Sequence, residues 1–126
     1  MNTVPKKILI IKNDHIGDLV MATGVFRELK KAYPKSKITL ITSKINRAIV
    51  DKNKNIDEIW ELETSGRNWR TIKNYLNMYK KIKRARFDWG IDLKNSLLNT
   101  ALLLWAPGIK KRVAATYYHE NLSPLF

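Results

Sequence analysis

The densest chemistry in the sequence lies in one short segment, Asn13-Asp14-His15-Ile16-Gly17-Asp18. Two carboxylates, an imidazole and a carboxamide stand beside a glycine, which lets the backbone turn tightly or approach a ligand closely. A helix that follows this segment offers free N–H groups and a positive dipole end, so it favours anions. Both effects hold a carboxylate at Asp18 in its charged form. An ionised, fixed carboxylate can accept a proton from a substrate hydroxyl. Plainer readings compete. Asp14 can be an N-cap, Asp18 a first-turn acid that complements the dipole, and His15 a polar surface residue. Neither G-x-G-x-x-G nor G-x-x-x-x-G-K-[ST] is present, which disfavours dinucleotide and Walker-type phosphate loops. The chain has no cysteine, so disulfide scaffolds, thiolate metal sites and cysteine nucleophiles are excluded.

The elements that must position this segment follow from periodicity. Lys6 to Lys12 encloses an unbroken apolar run and reads as a strand buried on both faces. Asn13 to Gly17 reads as a polar loop. A helix from Asp18 carries Leu19, Val20, Val25, Phe26 and Leu29 at helical spacing and ends before Pro34. Lys37 to Thr42 is a second strand, and Lys44 to Asp51 a short helix with Ile45, Ile49 and Val50 as its apolar face. Ile56 to Leu62 is a third strand. Trp69 to Arg86 predicts an amphipathic helix whose stripe of Trp69, Ile72, Leu76, Tyr79 and Ile82 faces the core. Phe87 to Leu93 is a fourth strand, Leu97 to Trp105 an apolar helix stopped by Pro107-Gly108, and Lys111 to Ala115 a fifth strand. Tyr117 to Phe126 has no clear period. Trp60, Trp89 and Trp105 read as core or domain-interface residues.

Strict alternation of strand and helix predicts an α/β fold: a Rossmann-like parallel sheet with helices on both faces. The common doubly wound order puts strand 1 between strands 2 and 4, and ligands bind at that switch point, beyond the carboxyl ends of the strands. Two loops should meet there: the one after strand 1, and Lys94 to Ser96 after strand 4. Lys94 and Asn95 could contact the hydroxyls or phosphate of a substrate, or serve as ordinary loop residues.

At 126 residues the chain is one domain, 1–126. Its formal net charge is +13, and the excess is uneven, +4 over residues 1–63 and +9 over residues 64–126. Gly66 to Arg86 holds eight basic residues and no acid. Such a field attracts nucleic acid, acidic lipid headgroups or phosphorylated sugars without choosing among them. The basic helix could lie on acidic lipid with Trp69 and Tyr79 at the interface. No apolar stretch approaches the ~20 residues needed to span a bilayer, and the amino terminus lacks a signal peptide's apolar region. A cytoplasmic location is expected, at most peripheral to a membrane.

Residues 7–23, KILIIKNDHIGDLVMAT, resemble the opening of glycosyltransferase family 9, the heptosyltransferases of lipopolysaccharide core assembly. The resemblance continues through Phe26-Arg27-Glu28-Leu29-Lys30, Tyr33-Pro34, Phe87 to Leu93, Ala101-Leu102-Leu103, Gly108 to Val113 and Glu120 to Phe126. It implies one half of a GT-B enzyme, the N-terminal, acceptor-side domain. The C-terminal domain, which binds the nucleotide-sugar donor, would be absent from these residues, and the chain alone would be inactive. By the same resemblance Asp18 matches the catalytic base, while the position of Asn13, Asp14, His15, Gly17, Lys94 and Asn95 on the two switch-point loops makes them the candidate substrate contacts. The reaction implied is inverting transfer from a nucleotide-sugar of the ADP-heptose type to a phosphorylated glycolipid acceptor. No metal or other cofactor is expected. Gly24 and Asn95 depart from the family pattern, which often has proline and glycine there. The alternative reading is a non-catalytic basic module that binds an anionic membrane surface or nucleic acid. Nucleic acid is the weaker partner, because no recognised binding motif accompanies the charge.

Overall fold

The computed structural model describes residues 4–12, 16–63, 69–93, 107–109 and 111–114, without the side chains of residues 16–19, 21, 113 and 114. Five strands are present: β1 (Lys7–Ile11), β2 (Lys37–Thr42), β3 (Glu58–Glu61), β4 (Trp89–Asp92) and β5 (Lys111–Ala114). Among the described residues three helices accompany them: α1 (Ile16–Ala32), α2 (Lys44–Val50) and α3 (Trp69–Ala85). The strands form one sheet in the order β3-β2-β1-β4-β5, parallel throughout. Strand 1 therefore lies between strands 2 and 4, as the alternation predicts. The helix expected over Leu97 to Trp105, with Trp105 itself, and the tail from Tyr117 lie outside the described residues.

β1 supplies the two-sided core. Ile8 and Ile10 pack with Ile38, Leu40, Ala22 and Phe26, under α1. Leu9 and Ile11 pack on the opposite face with Ile41, Trp60, Leu62 and the α3 residues Tyr75, Met78 and Ile82. All four β1 isoleucine and leucine side chains are fully buried, which is why the run reads as continuously apolar rather than alternating.

The strands are locked at their amino ends by a device used twice. An aspartate just before a strand caps the first amides of the neighbouring strand. The Asp88 carboxylate, ahead of β4, accepts from the amides of Lys6 at 2.8 Å and Lys7 at 3.0 Å. The Asp57 carboxylate, ahead of β3, accepts from the Ile38 amide of β2 and from Lys30 Nζ, both at 2.7 Å. Each carboxylate satisfies amides that the ladder leaves over. The Ser36 hydroxyl donates to the Pro5 carbonyl and ties the entry of β2 to that of β1.

The helices differ from the sequence expectation in which face they bury. α3 buries Tyr75, Met78 and Ile82, whereas Trp69, Ile72 and Leu76 are exposed. Two stripes overlap on this helix and share Ile82, so periodicity alone does not choose between them. Contacts outside the helix do. The Asn74 side-chain amide donates to the Glu63 carbonyl at 3.1 Å, and the Lys81 ammonium sits 4.3 Å from the centre of the Trp60 ring. α2 likewise buries Asn46 and Val50 and exposes Ile45 and Ile49. In α1, Ala22 and Phe26 are buried, while Val20 and Val25 are exposed. α1 also begins at Ile16, so Gly17 is helical rather than part of the preceding loop. Trp60 is buried and meets Phe87 edge-on at 5.5 Å, and Trp89 meets Tyr33 edge-on at 5.0 Å, which confirms both as packing residues. No helix among the described residues is long and apolar enough to cross a membrane.

The rotation of α3 is directly testable. Met78→Ala should lower unfolding free energy by about 2–5 kcal/mol, the usual cost of emptying a core site. Leu76→Ala should change it by no more than about 0.5 kcal/mol, as an exposed position does. Urea denaturation of the two variants checks this, and equal losses would restore the expected stripe.

Candidate functional site at the carboxyl edge of β1 and β4

β1 and β4 end side by side, with Ile11 opposite Asp92. The ladder runs one bond further, from the Leu93 amide to the Ile11 carbonyl at 2.9 Å. Beyond that point the chain leaves β1 toward β2 and leaves β4 toward β5, on opposite sides. Such a divergence marks the switch point of an α/β sheet, the place where ligands of this architecture bind.

The strand ends at that point carry buried polar groups. Lys12 is only 6% exposed, and its Nζ donates to the Leu93 carbonyl at 3.0 Å. Its amide donates to the Ile41 carbonyl at 2.9 Å, and its own carbonyl accepts from the Thr42 hydroxyl at 2.7 Å. Lys12 thus holds the exits of β1, β2 and β4 together, with a charge-assisted bond to β4. Asp92, the last residue of β4, is fully buried. Tyr75 reaches the same region from α3. Burial pushes its phenol above the usual tyrosine range, and the Asp92 carboxylate adds to the shift. On the β2 side, Ser43 caps α2 by accepting from the Asn46 amide at 3.2 Å, and the Glu63 carboxylate accepts from the Lys44 amide at 2.8 Å.

The sequence-predicted residues divide into two groups. Gly17 and Asp18 stand in the first turn of α1, which starts four residues after Lys12. Asn13, Asp14, His15, Lys94 and Asn95 lie outside the described residues. The neighbouring strand ends that should bring the two loops together are in place. Lys12, Asp92 and Tyr75 were not singled out by the sequence reading. The signal was available for two of them: a lysine closing an isoleucine run, and an aspartate closing β4. A charged residue at the carboxyl end of a doubly buried strand needs a buried partner. Among the described residues no group of three or more His, Asp and Glu could hold a metal ion.

No family model matches the chain. A Haemophilus influenzae protein provisionally named a glycosyltransferase is 31% identical over 109 residues, 86% of this chain and 30% of that protein. Lipopolysaccharide heptosyltransferase 3 of Escherichia coli is 22% identical over 106 residues, 83% of this chain and 31% of its own length. The chain thus spans about a third of the length of these curated relatives. Among solved structures, a glycosyltransferase family 9 protein from Veillonella parvula superimposes with a TM-score of 0.73 at 20% identity, over 92% of this chain and 37% of that one. The ADP-heptose lps heptosyltransferase II of E. coli gives 0.71 at 23% identity, over 86% and 30%. The resemblance to glycosyltransferase family 9 read from the sequence therefore recurs in both comparisons, and the structural likeness fixes the fold as α/β and Rossmann-like.

Tyr75 gives a measurable consequence. Its folded pKa lies above its unfolded one, so its protonated form contributes stability that is complete below the unfolded value. That contribution is lost as pH rises through the folded value. Between about pH 9 and about pH 11, spanning the ordinary tyrosine value, the parent should lose more unfolding free energy than Tyr75→Phe, whose buried ring cannot ionise. Denaturant titrations at the two pH values check it, and parallel losses would remove Tyr75 from the buried cluster.

Proposed function

We propose that these residues form the acceptor-side domain of a glycosyltransferase that moves a sugar, heptose in type, from a nucleotide-sugar to a lipopolysaccharide core acceptor. The observation that carries the reading is the position of Asp18. It stands in the first turn of α1, next in sequence to the switch point of a five-stranded parallel sheet, in a chain similar to heptosyltransferases over most of its length. Helix N-termini favour the ionised form of a carboxylate, which suits a general base.

In the proposed reaction Asp18 takes the proton of an acceptor hydroxyl. The hydroxyl oxygen then bonds to the anomeric carbon of the donor sugar, the bond from that carbon to the diphosphate breaks, and the nucleoside diphosphate leaves with the electron pair. Attack from the face opposite the leaving group inverts the anomeric centre. Asn13, Asp14, His15, Lys94 and Asn95 would orient the acceptor around this base, with Gly17 allowing close approach. Lys12, held by the Leu93 carbonyl, would keep the two loops in register rather than carry a proton. The donor would be held by a second domain outside these residues, which agrees with relatives about three times as long. An acceptor of this kind is anchored in a membrane, so the reading places the enzyme at a membrane face on the cytoplasmic side.

Two measurements test the proposal. Calorimetry of the 126-residue chain with ADP-heptose should show no micromolar binding, and such binding would overturn the division of labour between domains. In a full-length transferase carrying this domain, Asp18→Asn should lower kcat by about 10²–10⁴-fold with little change in acceptor affinity, because an amide still hydrogen-bonds a hydroxyl. His15→Ala is the control for a crowded loop. A parental kcat for Asp18→Asn would return Asp18 to the role of a helix-start acid.

A further inference from the structure

The outward face of α3 carries an apolar strip that no other described residue covers. Trp69 is 84% exposed, Ile72 53% and Leu76 57%. At steps of three and four these residues lie on one side of the helix, away from Tyr75, Met78 and Ile82, which face the core. The same outward side holds Lys73, Lys80 and Lys83, and the whole helix has no acidic residue. α3 therefore has two apolar faces, one used by the core and one turned to solvent within a cationic border.

We infer that this outward face docks on an anionic lipid surface. The composition argues for lipid over a protein partner. Protein interfaces are depleted in lysine at their centre, whereas lysine beside tryptophan and aliphatic residues is the pattern of a helix lying in a headgroup layer. The charge is complementary to acidic lipid and is not offset within the helix, since no aspartate or glutamate occurs between Gly66 and Arg86. The tryptophan terminus also sits at a useful place. The Asn74 side chain bonds the Glu63 carbonyl just beyond β3, so the first turns of α3 lie at the carboxyl edge of the sheet, the edge at which β1 and β4 end side by side. A helix seated in the headgroups would bring that edge to the membrane, which deepens the proposed function by naming the surface that approaches the acceptor.

Vesicle co-sedimentation of the chain tests this without donor or acceptor, so its outcome is independent of glycosyl transfer. The parent should sediment with vesicles of phosphatidylglycerol mixed with phosphatidylcholine, and not with phosphatidylcholine alone. Trp69→Ala with Leu76→Ala should weaken that partition by about tenfold or more, because burial of two large apolar side chains is removed. Lys73→Glu with Lys80→Glu should weaken it as strongly, and added salt should weaken it further. Both pairs are exposed, and unchanged circular dichroism would confirm that the fold is intact. Three results would overturn the inference: no preference for the anionic vesicles, partition unaffected by the Trp69 and Leu76 changes, or sedimentation equilibrium showing a dimer that those changes dissolve.

Discussion

Burial of β1 on both faces and both edges is the constraint from which the rest of the structure follows. Five residues carry four fully buried aliphatic side chains, and their backbone pairs with β2 on one side and β4 on the other. A strand so enclosed cannot slip by one residue without exchanging the side chains given to α1 for those given to α3. The Asp88 carboxylate fixes the register from outside, at the amino end, and Lys12 from the other. The candidate site depends on this chain of restraints, because its two loops begin where β1 and β4 end.

The two ends of the sheet are electrostatically unlike. At the amino end, the Asp57 and Asp88 carboxylates accept from backbone amides of the neighbouring strands. At the carboxyl end, Lys12, Asp92 and Tyr75 are buried near the ends of β1 and β4. A low local dielectric strengthens polar interactions there and raises the cost of leaving any group unmatched. That end suits recognition of a polar ligand, and the first turn of α1 adds its dipole in the same place. The glycosyl-transfer reading draws on this asymmetry as much as on Asp18 itself.

Much of the fold was legible in the sequence. The isoleucine run of β1, the β-branched run of β2 and the alternation of elements sufficed for the parallel sheet and for strand 1 between strands 2 and 4. Strand limits were read one to two residues too long for β1, β3 and β4, because burial of flanking residues such as Leu62 and Phe87 continues past the ladder. The orientation of α3 was not legible. Its two candidate stripes differ by a modest rotation, and the choice rests on Asn74 and Lys81, which look like surface residues in a one-dimensional reading. Exposure of Ile45 and Ile49 on α2 has the same origin, since the helix is oriented by Val50 and the Ser43 cap. For the site, spacing and glycine pointed to the loop after β1, while the buried Lys12 and Asp92 depend on contacts between distant strands.

The aspartate clamps also bear on how the chain finds its fold. Asp57 joins β2 across 19 residues, whereas Asp88 joins β1 across 81. Closing the longer loop costs only about 1.3 kcal/mol more in chain entropy, since the cost grows with the logarithm of length. That difference still favours assembly of the β1-α1-β2-α2-β3 half before β4 arrives. Until then β1 would present an unpaired edge of isoleucines, the kind of surface that recruits foreign strands. The arrival of β4 both brings the strand ends of the candidate site together and seals that edge, so the step that assembles this corner of the sheet is also the one that protects the nascent chain from aggregation.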